Sequence, residues 1–550
     1  MQPTSNRDPA VQPAAGQGPA FRIGQRVHFC GQPRRIGTVK YVGPVEGFSG
    51  DWVGVDWDAD GEGKHDGSHN GARYFMARGP KTASFVRPHN LSAGVSLVEA
   101  LETRYRSAST KEEEEEMYVL SATNKRVSIE LLGKHKIEEK MSRLEELTSA
   151  SLSYLGVSNP GNPEHISSTL PNIKELDLTG NLLDNWEDIG VVCKGLTALT
   201  TLNLSNNCLS HHIINVPQLS NIHVLVLNQT RVIWKQVEVL KDSLPHVEEL
   251  HLMGNEIKEI APLSSVVVRG FNSLKLLNLE NNFISDWNEI IKLSHLPSLE
   301  QLFLNNNNIN RVWYPDCGEL GEPYNGCESH DKSSKPFSNL RSLSLGGNNI
   351  EGLESVDSLN SFPNLTETRL SENPVTDLGK GGVPRFVFIA RLANIMILNG
   401  SEISPRERKD SEIRYVRLVM SKFHASPEEI GKLHPRFAEL KKTHGLEDER
   451  PSIGGLGAQN TASGLISITL RCVGASMGEK PPVVKKLPAT TTVGKLKFLC
   501  DIFFKLKSIK PILYLQEECS PLPTLLEDDA ASLNELGVGN ESTILVDEQS

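Results

Sequence analysis

Cysteine is scarce in this chain: eight in 550 residues, none forming a CxxC pair. Cys30, Cys193, Cys208, Cys317, Cys327, Cys472, Cys500 and Cys519 lack the spacing of a zinc finger and the density of a disulfide scaffold, and they fit a reduced cytosol. Long apolar runs are missing too. No stretch approaches the roughly 18 apolar residues of a membrane helix, and the best one, 386–398, is broken by Arg391 and Asn394. Residues 1–19 are rich in Pro, Gln, Ala and Gly and do not read as a secretory leader. Catalytic signatures are absent: there is no GxxxxGK[ST], no HExxH and no GxSxG. His211 and His212 have no carboxylate at metal spacing and read as a surface pair. No catalytic residue, cofactor or metal is expected. Positive charge is in deficit, with 57 Lys and Arg against 68 Asp and Glu, a net −11. That sign argues against a nucleic-acid partner, as the missing apolar runs argue against a membrane.

What is present, first, is a repeat. The pattern LxxLxLxxNxL recurs eight times, its Asn position falling at Asn181, Asn207, Thr230, Asn255, Asn282, Asn307, Asn348 and Asn373. Such a period predicts a leucine-rich repeat solenoid. Each LxL turns two side chains to one face of a short strand, and each Asn bonds the backbone of its turn. Thr230 breaks the Asn rule and is expected to support its turn less well. One long step holds an insertion at 311–337 that reads as a rim loop. Its Cys317 and Cys327 read as two free thiols rather than a clip. Between the leucines, Val226, Met253, Leu276 and Phe303 fall on the concave face. They are expected to form an apolar protein-binding surface, the alternative being scatter.

Residues 21–90 differ in composition. Glycines separate short apolar runs, predicting a small β-rich domain. Its ten Lys and Arg outnumber seven Asp and Glu, opposite to the whole chain. The segment Gly63-Lys64-His65-Asp66-Gly67, followed by Tyr74-Phe75 and Ser84-Phe85-Val86-Arg87-Pro88, resembles the CAP-Gly domain, with His65 where Asn is usual. That resemblance implies recognition of an acidic C-terminal tail ending in an aromatic residue, as on α-tubulin. Gly63 and Gly67 give turn freedom and close backbone approach. Lys64 suits a carboxylate, and Asp66 completes the motif. His65 still offers one hydrogen bond. Phe48, Trp52, Trp57 and Phe75 are candidates for an aromatic groove, with core packing the competing reading for Trp52, Trp57 and Phe75.

The last 85 or so residues return to β pattern. Ile466, Ile468 and Leu470 alternate, and Val493, Leu496, Leu499 and Phe503 follow at helical spacing. Together with the ending 532–546, this resembles a ubiquitin-like β-grasp fold. The chain ends without Gly-Gly, so docking is expected rather than conjugation. The expected class is multidomain α+β. Residues 1–20 are read as a disordered N-terminus, 21–95 as the CAP-Gly domain, and 96–143 as a linker with a helix and an acidic run. Then come repeats with a C-terminal cap at 144–425, a helical and flexible linker at 426–463, and the ubiquitin-like domain at 464–550.

The order CAP-Gly, leucine-rich repeats, ubiquitin-like resembles the tubulin-folding cofactor E family. The resemblance implies a non-catalytic, cytoplasmic, cytoskeleton-associated chaperone. Such a chaperone binds α-tubulin, promotes assembly (and also dissociation) of the α/β heterodimer, and works with other tubulin-folding cofactors that hold β-tubulin. The competing class is a ubiquitin-pathway adaptor, reaching the proteasome through the ubiquitin-like domain and clients through the repeats.

Overall fold

The computed structural model describes residues 21–106, 118–120, 126–128, 142–262, 266–315, 335–422, 426–446 and most of 465–548. The tail 1–20, the acidic run 112–116, most of the insertion with Cys317 and Cys327, and the stretch 447–463 lie outside the described residues. The chain forms two compact units, residues 1–283 with 292–299, and 284–291 with 300–550. No helix among the described residues is long and apolar enough to cross a membrane.

The first unit opens with an antiparallel sheet in the order β4-β3-β2-β1-β5, built from β1 (Arg26–Phe29), β2 (Gln32–Val45), β3 (Phe48–Trp57), β4 (Ala83–Val86) and β5 (Leu91–Ser92). Alternation sets its core. Val53, Val55 and Trp57 of β3 point inward against Val27 and Val39, while Trp52, Gly54 and Asp56 take the other face.

The chain then joins the repeat array directly. β6 (Val95–Ser96) pairs in parallel with β7 (Val157–Asn159), and the Val95 N–H donates to the Gly156 carbonyl at 2.9 Å. Gly94, at φ +88°, lies so close that a Cβ would overlap that same oxygen. A Cβ on Gly156 would press on the His28 ring. Next, α1 (Leu97–Tyr105) starts from a Ser96–Glu99 capping box and buries Leu97, Val98, Ala100 and Leu101. It packs on α2 (Pro163–Thr169), and its Tyr105 hydroxyl accepts from Ser151 N–H at 3.0 Å. The expected linker therefore begins as a folded part of the array. Arg34 stacks on Tyr154 at 5.0 Å, and Asp58 sits between Arg26 and the repeat residue Arg231, the latter at 3.8 Å.

Strands Ser149–Ser151, Glu175–Asp177, Thr201–Asn203, Val224–Val226, Glu249–His251 and Leu276–Asn278 stack in parallel register in this unit. Their central leucines, from Leu176 to Leu277, are buried, each contributing about 2 kcal/mol. The Asn amides work as the pattern requires. Asn181 donates to Leu178 O at 2.8 Å and to Leu152 O of the preceding turn at 2.9 Å. Thr230 has a single hydroxyl hydrogen, and gives it to Leu227 O at 2.8 Å. The reach back to the preceding repeat, which Asn255 makes at 2.7 Å to Leu227 O, is beyond it.

In the second unit, strands Gln301–Phe303, Ser342–Ser344, Glu367–Arg369 and Ile397–Leu398 pair with one another in parallel. A cap of α3 (Arg385–Arg391), α4 (Pro405–Lys422), α5 (Pro427–Leu433) and α6 (Phe437–Thr443) closes this end around Phe386, Val387, Tyr415, Val416 and Leu440. The helices expected inside a linker after residue 425 are thus part of the cap. Arg391, 2% exposed, holds it together. It pairs with Asp357 and donates to the Tyr415 hydroxyl at 3.1 Å, to the Leu433 carbonyl at 2.9 Å, and toward His434 Nδ1 at 3.4 Å.

The C-terminal domain is a five-stranded sheet in the order β9-β8-β12-β10-β11: β8 (Leu465–Cys472), β9 (Val483–Pro488), β10 (Pro511–Gln516), β11 (Thr524–Leu525) and β12 (Thr543–Glu548). It is covered by α7 (Val493–Phe504). The buried face of α7 is Val493, Leu496, Cys500 and Phe504. Leu499 and Phe503, which share the helical spacing of Val493 and Leu496, are half-buried on its flank, Phe503 packed against the core from there. Arg406 meets Glu541 at 3.0 Å and Arg414 donates to Leu536 O at 2.6 Å, so this domain contacts the cap.

Candidate functional site

The groove lies on the outer face of β3, and its shape comes from glycines. Gly54 leaves room for the Phe75 ring, which a Cβ would overlap. Gly63 lies flat against β4, where a Cβ would strike the Thr82–Ala83 backbone. Gly67, at φ +97°, abuts the Phe75 carbonyl. The motif is thereby zipped to β4: Gly63 N–H donates to Lys81 O at 2.9 Å and Lys64 N–H to Ala83 O at 2.7 Å. Lys64 has its backbone fixed and its side chain in solvent.

His65 is not a free substitute for Asn. Its Nδ1 accepts from Gly67 N–H at 3.0 Å, which puts the proton on Nε2. Its ring lies tilted on Phe85 at 4.8 Å. Burial, with His69 nearby, holds its pKa below the ordinary value. Asp66 works inside the loop. It accepts from Ser68 N–H at 3.1 Å and pairs with Arg73 at 2.8 Å; the Ser68 hydroxyl, then Arg73 and the Ser68 N–H, hold its carboxyl down at about 2.

The aromatic wall is larger than the sequence reading had it. Phe48, 50% exposed, contacts Trp52 at 5.6 Å and His69 at 5.3 Å. Arg87 stacks on Trp52 at 3.8 Å. Phe85 sits at the centre, 5.8 Å from Phe75 and 5.2 Å from Tyr74. Phe85, His69, Tyr74 and Arg87 were missed as site residues. Strand alternation would have found Phe85, because Ser84 and Val86 face the core. One expectation is corrected: Trp57 is 1% exposed in the sheet core, with Arg35 over its ring at 4.4 Å, and does not line the groove. Trp52 Nε1 and His69 Nε2 are sealed from solvent without a hydrogen-bond partner.

On the concave face, Val226, Met253 and Leu276 are half-buried in the first unit, and Phe303 is half-buried in the second. None is among the fully exposed apolar residues. Neighbouring Asp177 accepts from Ser151, Ser153 and Thr179, and these bonds outweigh its burial to keep it below the usual carboxylate range. Among the described residues no three His, Cys, Asp or Glu side chains gather to hold a metal. Burial pushes the Cys193 and Cys500 thiols up to about 12, as structural cysteines should be.

Fold and groove together define a CAP-Gly protein with a leucine-rich repeat body. The CAP-Gly domain family model matches residues 23–91 and the leucine-rich repeat model matches residues 198–219. Along its full length the chain is similar to Tubulin-folding cofactor E of Arabidopsis thaliana, 60% identical over 98% of this chain and 100% of that one. It is also similar to Tubulin-specific chaperone E of Xenopus laevis, 32% identical over 92% of this chain and 96% of the other. The C-terminal ubiquitin-like domain of mouse tubulin-specific chaperone e, solved in solution, matches 17% of this chain and 96% of its own at 23% identity and a TM-score of 0.15. The chain belongs to the tubulin-folding cofactor E family.

Proposed function

We propose that this protein is a cytoplasmic, non-catalytic tubulin chaperone that captures α-tubulin by its acidic tail and promotes assembly of the α/β heterodimer. The carrying observation is the groove, in a chain whose relatives bear the names of tubulin chaperones. Exposed Lys64 stands at its edge, where a terminal carboxylate gains a charge-assisted bond. Phe48, Trp52 and Phe85 offer stacking surfaces to a terminal aromatic ring, while Phe75, predicted for the groove, is buried behind Phe85. The His65 Nε2–H, fixed by the Gly67 bond, is a donor where the usual motif has an amide.

The repeat face around Val226, Met253 and Leu276 is the surface for the body of the client. The ubiquitin-like domain serves to dock a second protein, such as a cofactor holding β-tubulin. Calorimetry with an acidic peptide ending in an aromatic residue tests the groove. Lys64→Ala should weaken binding about tenfold, and an unchanged affinity removes Lys64 from the site.

A further inference from the structure

We propose that the outer face of α7 is the docking surface of the ubiquitin-like domain, and that its occupant is an acidic amphipathic segment of a partner protein. The proposal rests on the docking role given to that domain above. The core of the domain uses one side of α7, Val493, Leu496, Cys500 and Phe504. The opposite side should be polar. Instead Phe498 is 65% exposed and Ile502, one turn on, is 54% exposed. Half-buried Leu499 and Phe503 continue the apolar surface toward β9, which is the edge strand of the sheet.

The rim of this patch is basic. Lys495 and Lys505 flank it along the helix, both exposed. Lys485 of β9, on the strand face turned toward α7, reaches over the Phe503 ring at 4.6 Å. Asp501 is the one carboxylate on the helix itself. Lys497 turns away to pair with Asp529 at 2.7 Å.

Two apolar anchors a turn apart, bordered by Lys495, Lys505 and Lys485, match a partner with the inverse pattern: apolar residues at i and i+4, bordered by Glu or Asp. A second copy of this chain fits poorly. Two-fold pairing of the helices through Phe498 and Ile502 sets Lys495 of one against Lys505 of the other. A lipid surface gains little from two anchors on a helix whose other side is committed to a core.

The test titrates the full chain with a labelled synthetic peptide bearing Leu at i and i+4 and Glu on both sides. The peptide is amidated at its C-terminus so that the CAP-Gly groove has no carboxylate to read. Binding should weaken about tenfold with Phe498→Glu or Phe498→Ser, weaken similarly with Lys495→Glu plus Lys505→Glu, and fall as salt rises. A peptide with Lys in place of Glu should not bind. Equal affinity for wild type and Phe498→Glu overturns the proposal. So does binding to phosphatidylserine vesicles, or self-association, that is lost in Phe498→Glu while the Glu peptide fails to bind. Lys64→Ala should leave this affinity untouched, and Phe498→Glu should leave tail binding untouched, so each reading fails separately.

Discussion

Acid should loosen the C-terminal cap before it unfolds the repeats, and His434 is the reason. Its Nδ1 accepts from the Tyr415 hydroxyl at 2.8 Å and faces the Arg391 guanidinium at 3.4 Å, with Asp357 on the far side of that guanidinium. A proton on Nδ1 would remove the acceptor and set two cations together. Burial, then Arg391, pushes the His434 pKa down to about 4. The folded state therefore prefers the neutral ring. This contribution is fully present above the unfolded value of about 6.5 and is lost as pH falls toward about 4. At about 1.4 kcal/mol per pH unit the ceiling is about 3 kcal/mol, and partial solvent access brings the expectation to about 2 kcal/mol. Hydrogen exchange reads it directly. Between pH 7 and 4.5 the amides of 427–443, corrected for intrinsic rate, should lose about thirtyfold in protection. His434→Gln, which cannot titrate, should flatten that dependence. An equal acid loss in His434→Gln would refute the assignment to this ring.

Other outcomes follow from single contacts. Thr230→Asn restores the missing cross-repeat bond and should raise the denaturation midpoint by an amount worth about 1 kcal/mol. Gly94→Val places a β-branched residue at φ +88° and pushes on Gly156; about 2–4 kcal/mol of local stability should go, read as faster proteolysis near α1 with the CAP-Gly core still folded. Gly67→Ala should displace Phe75 and weaken the tail peptide more than it lowers the melting temperature. Protonating His65 removes the acceptor for Gly67 N–H, so its depressed pKa makes loop order fall with pH; chemical shifts of residues 63–69 check this.

Most of the architecture was written in side-chain periods. LxxLxLxxN specifies strand, turn and ladder at once, and GKHDG with its flanking aromatics specifies the groove. Trp57 was decidable too. It shares the inward parity of Val53 and Val55, while Trp52 takes the parity of Gly54. On α7 the helical spacing of Val493, Leu496, Leu499 and Phe503 was legible, but not that small, buried Cys500 and Phe504 complete the buried face. What the pattern could not carry was the junction between the N-terminal sheet and the array. Val95 and Val157 are far apart in sequence, and their pairing depends on Gly94 and Gly156 having no side chain. A contact made by absent atoms leaves no hydrophobic signature. The cap beyond residue 425 was hidden likewise, because its anchor is one buried arginine reaching the Leu433 carbonyl and a histidine.

The glycine seam has a mechanical consequence. Two modules on a flexible string search for their targets independently, and the string sets how often both engage. Here β6 and α1 leave no string between the groove and the first repeats. For a client held at both places, all the slack must lie in the client's own tail. Its length, rather than any linker in the chaperone, sets the local concentration of body over repeats, so a shortened tail should behave like a shortened tether.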